Sequence, residues 1–162
     1  MKTAVVYYSM GGNTAFAAEK AAQALEADLI GIAPVKQYPD RGFRKFLWGG
    51  KSAVMAETPA LKSYEFDADA YDLVVIGFPV WAGNMAPPIR TFARDNREAL
   101  RGRRVCAFAC EGGSGAEKAF KKLEDCLGAP LCAQLILIDP KDRPAADNDA
   151  KIAAFCELCR RG

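Results

Sequence analysis

The chain contains no histidine. That removes the commonest general base, the Ser-His catalytic pairings and most zinc sites. Neither sign of charge is in excess: 22 Lys and Arg stand against 20 Asp and Glu, a formal net charge of +2. With acids nearly balancing bases that are not concentrated, nothing points to an electrostatic nucleic-acid binder. No apolar run reaches ~18 residues, so no membrane insertion is expected. The first strand pattern begins by about residue 3 with no leader-like segment ahead of it, and a cytoplasmic protein is the expectation. Cys106, Cys110, Cys126, Cys132, Cys156 and Cys159 are then expected as reduced thiols. Two nucleotide-binding fingerprints are also missing. There is no G-x-G-x-x-G, and the loop at residues 9–14 lacks the Lys followed by Ser or Thr that a nucleoside triphosphatase loop carries after its glycines.

What remains is globular. Of the 162 residues, 51% are hydrophobic and 26% charged, which suits a single domain spanning 1–162. Its organising stretch is VVYYSMGGNTAFAAE, residues 5 to 19. The apolar run Ala4 to Tyr8 has the length and composition of a buried strand. Ser9-Met10-Gly11-Gly12-Asn13-Thr14 interrupts it, and Phe16, Ala17, Lys20, Ala21, Ala24 and Leu25 then recur at helical spacing. A strand, a tight polar loop and a helix aim unpaired N–H groups and the positive helix end at one point, which suits a phosphate. The same pattern also serves as an ordinary turn with a Thr or Asn cap. No Lys or Arg lies within the loop, so an anion there would be held by N–H groups, Ser9, Asn13 and Thr14.

Further strands are expected at 27–32, 71–78, 103–110 and 131–138, with helices from Pro87 or Pro88 to about Asn96, over 116–127, and from about 146 to 160. Residues 34 to 65 read as an excursion in which 42–54 could hold a short helix, and Arg41, Arg44, Lys45 and Lys51 read as a solvated basic face rather than a partner patch. Cys156-Glu-Leu-Cys159 reads as part of a buried helix face rather than a metal or redox site. The alternation predicts a doubly wound α/β fold: a five-stranded parallel sheet of order 2-1-3-4-5 with helices on both faces. Its switch point lies between the first and third strands, whose following loops are the two most distinctive in the chain. Trp81, in the loop after the third strand, is read as facing a ligand, the alternative being a hydrophobic plug.

These residues resemble the flavodoxin family. YYSMGGNT is similar to its phosphate-loop pattern, GFPVWAGNMAPPI to the first ring-binding loop and ACEGGSGAEKAF to the second, in the same order and over essentially the whole chain. The resemblance implies flavin mononucleotide (FMN). Ser9, Met10, Gly11, Gly12, Asn13 and Thr14 would hold its phosphate. Pro79, Val80, Trp81, Ala82, Gly83 and Asn84 would lie along the isoalloxazine ring, and Cys110, Glu111, Gly112, Gly113 and Gly115 would approach its far edge. Backbone groups near Ala82 and Gly83 are candidates to meet flavin N5. No catalytic side chain is implied, because the flavin does the chemistry.

Two departures from the family pattern carry consequences. Cys110 stands where a second ring-covering aromatic is usual, and the chain is slightly basic where family electron carriers are acidic. A carboxylate ~8 Å from a negatively charged reduced flavin costs about 2 kcal/mol at an effective dielectric of ~20, so fewer acids should raise the second reduction potential. The leading expectation is an electron carrier shuttling between redox partner proteins, acting as a monomer or weak dimer. The alternatives are a small NAD(P)H-dependent quinone or nitro-compound reductase, or an interaction module on the same fold that has lost its flavin.

Overall fold

The computed structural model describes residues 1–39 and 56–161. The expected short helix at 42–54, and the basic residues Arg41, Arg44, Lys45 and Lys51, lie outside the described residues. In chain order the elements are β1 (Thr3–Tyr7), α1 (Asn13–Leu25), β2 (Asp28–Gly31), a single 3-10 turn at Ala68–Ala70, β3 (Leu73–Trp81), β4 (Asn84–Met85), α2 (Pro87–Asp95), β5 (Arg104–Glu111), α3 (Ala116–Leu127), β6 (Gln134–Ile138) and α4 (Asn148–Arg161).

The sheet runs β2-β1-β3-β5-β6, with β4 paired only to β3. Counted over its five parallel strands, the order is the expected 2-1-3-4-5. Alternate strand residues face opposite layers, as the two-residue strand period requires. Ala4, Val6, Val74, Ile76, Phe78, Ala107 and Ala109 pack under Ile89 and Phe92 of α2 and Phe120 and Leu123 of α3. Val5, Leu73, Val75, Cys106, Phe108 and Leu137 pack under the alanine face of α1 and under Ile152, Phe155, Cys156 and Cys159 of α4. Cys156 and Cys159 are 1% and 0% exposed, so the C-x-x-C is part of a packed helix face. Among the described residues no group of three His, Cys, Asp or Glu could hold a metal ion, and no helix is long and apolar enough to cross a membrane.

One segment differs from expectation. Residues 79 to 86 were read as a loop, but Pro79–Trp81 continue β3 and fold back on β4, with Val80 opposite Met85 and Trp81 opposite Asn84. Ala82 and Gly83 form the two-residue connection with φ of 50° and 71°, the doubly positive pattern of a type I′ hairpin turn. Asn-Gly is the usual signal for such a turn, and Ala-Gly advertises it weakly.

Register then aligns the carboxyl ends. Tyr7 is level with Gly77 and Gly77 with Phe108, while Pro79 is level with Cys110 and Glu111 with Ile138. The loops after β1, β3, β5 and β6 therefore leave the same edge of the sheet, where ligands of open α/β sheets bind.

Candidate functional site

A cleft of about 260 Å³ opens at that edge. Its lining brings together Ser9, Met10, Gly11, Asn13 and Thr14 from the first loop, Pro79, Val80 and Trp81 from β3, and Cys110 and Gly112 from the end of β5. Asp139 and Asp142, from the loop after β6, complete it. Seven of the expected residues do not line the cleft, and most of them hold its loops in place.

Gly12 caps α1 with φ 96°, and its N–H donates to Ser9 Oγ at 3.2 Å. Glu111 is 8% exposed and accepts from the Ala116 N–H at 2.8 Å, a carboxylate at the N-terminus of α3. Asn84 donates through Nδ2 to the Ala82 carbonyl at 2.8 Å and accepts from Lys122 Nζ, which braces the hairpin turn from α3. Gly115, with φ 103°, packs against the Gly83 backbone, Gly83 forms the turn with Ala82, and Gly113 has open space around it.

The first loop leaves donor groups open at the cleft. Asn13 opens α1 next to the αL cap at Gly12, so the first N–H groups of the helix lack intrahelical partners. Thr14 is 1% exposed, and its Oγ1 is buried without a hydrogen bond of normal geometry, its remaining interaction being a weak one with the Cys110 sulfur. A buried hydroxyl without a strong partner costs on the order of 1–3 kcal/mol, a cost that an acceptor entering the cleft removes. The Asn13 side chain is engaged elsewhere: Oδ1 accepts from the N–H groups of Lys141 (2.9 Å) and Asp142 (3.1 Å), and Nδ2 donates to Asp142 Oδ2 at 3.0 Å. Asn13 thus ties the first loop to the last, and its own contribution to an anion is its backbone N–H.

Trp81 stands edge-on to Tyr8 at 5.9 Å and to Tyr38 at 5.3 Å between centroids. It is held by these rings while still lining the cleft, and it is the one aromatic residue doing so among the described residues. The charged lining is already matched. Arg143 pairs with Asp139 at 2.7 Å and also donates to the Gly112 carbonyl, and Asp142 is held by Asn13. Asp139, Lys141, Asp142 and Arg143 were missed by the sequence reading. The signal that could have found them is positional, since every loop at the carboxyl edge of a parallel sheet is a candidate.

Burial pushes the Cys110 thiol up to about 12 from the ordinary 9.0, with Asp139 adding to the rise and Thr14 opposing it. The thiol is therefore neutral at physiological pH and no nucleophile. Burial likewise raises Cys156 to about 11. In the unfolded chain both thiols ionise near 9, so above that pH the unfolded state has released protons that the native state still holds. Stability is expected to be level from pH 7 to 8 and to fall as pH rises from about 9 towards 12. Urea titrations across that range check this, and a Cys110→Ala variant should show a shallower decline. An equal decline would remove Cys110 as a cause.

A family model described as flavodoxin matches residues 2–140. Among solved structures, a flavoprotein of Bacteroides eggerthii, itself described as only provisionally assigned, is 27% identical with a TM-score of 0.79, over 99% of both chains. A Lactobacillus acidophilus flavoprotein in complex with FMN is 21% identical, with a TM-score of 0.73 over 87% of this chain and 95% of that one. Two-electron reduced Megasphaera elsdenii flavodoxin is 15% identical, with a TM-score of 0.62 over 99% of both chains. The last two likenesses speak for the fold. Comparison with curated proteins returned no match.

Proposed function

The chain belongs to the flavodoxin family, and from that premise we propose that it is an FMN-dependent electron carrier working between redox partner proteins. FMN is its cofactor. The cleft fits that group: a helix N-terminus and a buried, unsatisfied hydroxyl suit the phosphate, and Trp81 suits a planar ring. Bound FMN supplies one- and two-electron chemistry, and the chain does the rest.

Ser9, Met10, Gly11, Gly12, Asn13 and Thr14 would hold the phosphate, and Pro79–Asn84 with Cys110, Glu111, Gly112, Gly113 and Gly115 would hold or frame the ring. The turn at Ala82-Gly83 offers the Gly83 N–H as a donor, while the Ala82 carbonyl is oriented by Asn84, which Lys122 holds in turn. The observation that carries the carrier reading is the pair of lysines beside that turn, Lys118 against Gly83 and Lys122 on Asn84, which suits docking of a protein partner. Within the cleft Asp139 is paired, Asp142 is hydrogen-bonded and Cys110 is kept neutral.

The rim beside the turn also bears on the partner. Lys118 approaches Gly83, and Lys122 is pushed below the usual lysine range by burial first and by Lys118 and Arg90 after it. Arg90 is itself buried, and among the described residues neither Lys118 nor Lys122 has a carboxylate ion pair. An acidic docking face complements such a rim.

A second reading is a small NAD(P)H-dependent FMN oxidoreductase of quinones or nitro compounds. It is favoured by the single aromatic in the cleft lining, which leaves room for a nicotinamide over the other side of the flavin. One experiment separates the two: the visible spectrum of protein with FMN, followed anaerobically as NADPH is added. A flavin band that stays oxidised until a reductase is supplied supports the carrier. Rapid bleaching by NADPH, with a quinone restoring the band, establishes the enzyme instead. Absence of any flavin band would overturn both and leave an interaction module on this fold.

A further inference from the structure

We propose that Lys141, on the loop after β6, is a phosphate ligand supplied from outside the phosphate loop, and that it selects FMN over the dephosphorylated flavin by charge. The proposal rests on the FMN reading above. It starts from a placement that is otherwise unfavourable. The Lys141 ammonium lies so close over Gly12 that an ideal Cβ built there would stand 2.8 Å from Nζ and 3.3 Å from Cδ. Gly12 is the cap of α1, so a full positive charge sits beside the partial positive charge of a helix N-terminus. Like charges repel there, and among the described residues no carboxylate forms an ion pair with Lys141 to offset the repulsion. A phosphate carrying roughly −1.5 to −2 charges reverses the sign of both interactions at once.

The placement is built into the fold. Both the Lys141 and Asp142 N–H groups donate to Asn13 Oδ1, the Asn13 amide donates back to Asp142, and Arg143 pins the same loop through Asp139 and the Gly112 carbonyl. The loop after β6 is thus strapped to the phosphate loop on one side and to the β5–α3 loop on the other. Only the long Lys141 side chain is left to move. A second, independent feature points to the same ligand: Thr14, in the first turn of α1, lines the cleft beside which Lys141 stands, and its Oγ1 is buried with no partner beyond a weak interaction with the Cys110 sulfur. Helix end, buried hydroxyl and ammonium together make a site for one compact anion. Glycine is needed at position 12 for its φ of 96°, and it also leaves the space over the helix end to the Lys141 side chain.

The test measures dissociation constants of FMN and riboflavin by quenching of flavin fluorescence, for the wild-type chain, Lys141→Ala and Lys141→Arg. Lys141 is exposed and its fixed contacts are made by its backbone, so all three proteins should fold, which a thermal melt checks. Lys141→Ala is expected to weaken FMN about tenfold or more while riboflavin changes less than about twofold. Lys141→Arg should keep most of the FMN affinity. Raising salt from about 0.05 to 0.5 M should weaken FMN binding to wild type far more than to Lys141→Ala. An unchanged ratio of FMN to riboflavin affinity in Lys141→Ala overturns the proposal, as does equal loss of both, which would make Lys141 a packing residue of the loop. If wild type binds neither flavin, the FMN reading itself fails, and that result is distinct from either.

Discussion

Gly77→Ala should destabilise the protein by about 3 kcal/mol, although it adds one methyl group in the middle of the central strand. Gly77 is buried in β3, level with Tyr7 on one side and Phe108 on the other. An ideal Cβ there would stand 2.1 Å from Phe108 Cζ and under 3 Å from both Cε atoms. The Phe108 ring, 1% exposed, lies across the gap that the missing side chain leaves, enclosed by residues of α1 and α4. The backbone at Gly77 has no positive φ, so the cost is one of packing. A close-packed interior gives the ring nowhere to go.

A double-mutant cycle identifies the cause. Phe108→Leu alone should be destabilising, yet Phe108→Leu made in the Gly77→Ala background should cost much less or restore stability. A coupling of about 1–3 kcal/mol by urea denaturation is expected for residues in direct contact. Additive costs would show that the methyl group added at position 77 harms the strand in some other way.

Gly115→Ala is the second large effect, and it falls on the ligand. Gly115 caps α3 with φ 103°, a conformation L side chains rarely adopt, and its Cβ would approach Gly83 Cα to 3.0 Å and Gly83 N to 3.3 Å. The obstacle is backbone, so the two ring loops must separate. Affinity for FMN should fall at least about tenfold, equivalent to about 1.4 kcal/mol. Because the phosphate loop is not touched, riboflavin should lose as much as FMN, the opposite of the pattern expected for Lys141→Ala. Gly113→Ala is the control, since nothing lies within 4 Å of its Cβ and its φ is not positive. It should bind FMN within about twofold of wild type. If Gly113→Ala and Gly115→Ala behave alike, the glycine-to-glycine contact does not set the geometry of the ring loops.

Much of this was legible beforehand. The apolar runs at 4–8 and 71–78 are strands because β-branched and aromatic residues need no partner other than a sheet and two covering helices. The helix over 116–127 was bounded correctly because Gly115 and Gly128 mark its ends in the residues themselves. The hairpin at 79–85 was not legible, because prolines and glycines that read as loop also permit a strand to turn back, and only the pairing of Val80 with Met85 decides. Asn13 was legible as part of an anion loop, but its side chain is spent on residues 128 and 129 positions away.

The division follows from the range of the interactions. Period, turn chemistry and the order of motifs act between neighbours in the chain, so the sequence alone determined the α/β alternation, the tight polar loop after β1 and the membership of the flavodoxin family. Which cations and carboxylates stand around that loop depends on which strand ends lie side by side, and that is set by register across the sheet. Lys141 reaches Gly12 because β6 ends at the same edge as β1 with two strands between them, and no local pattern in Asp139-Pro140-Lys141-Asp142 encodes that meeting.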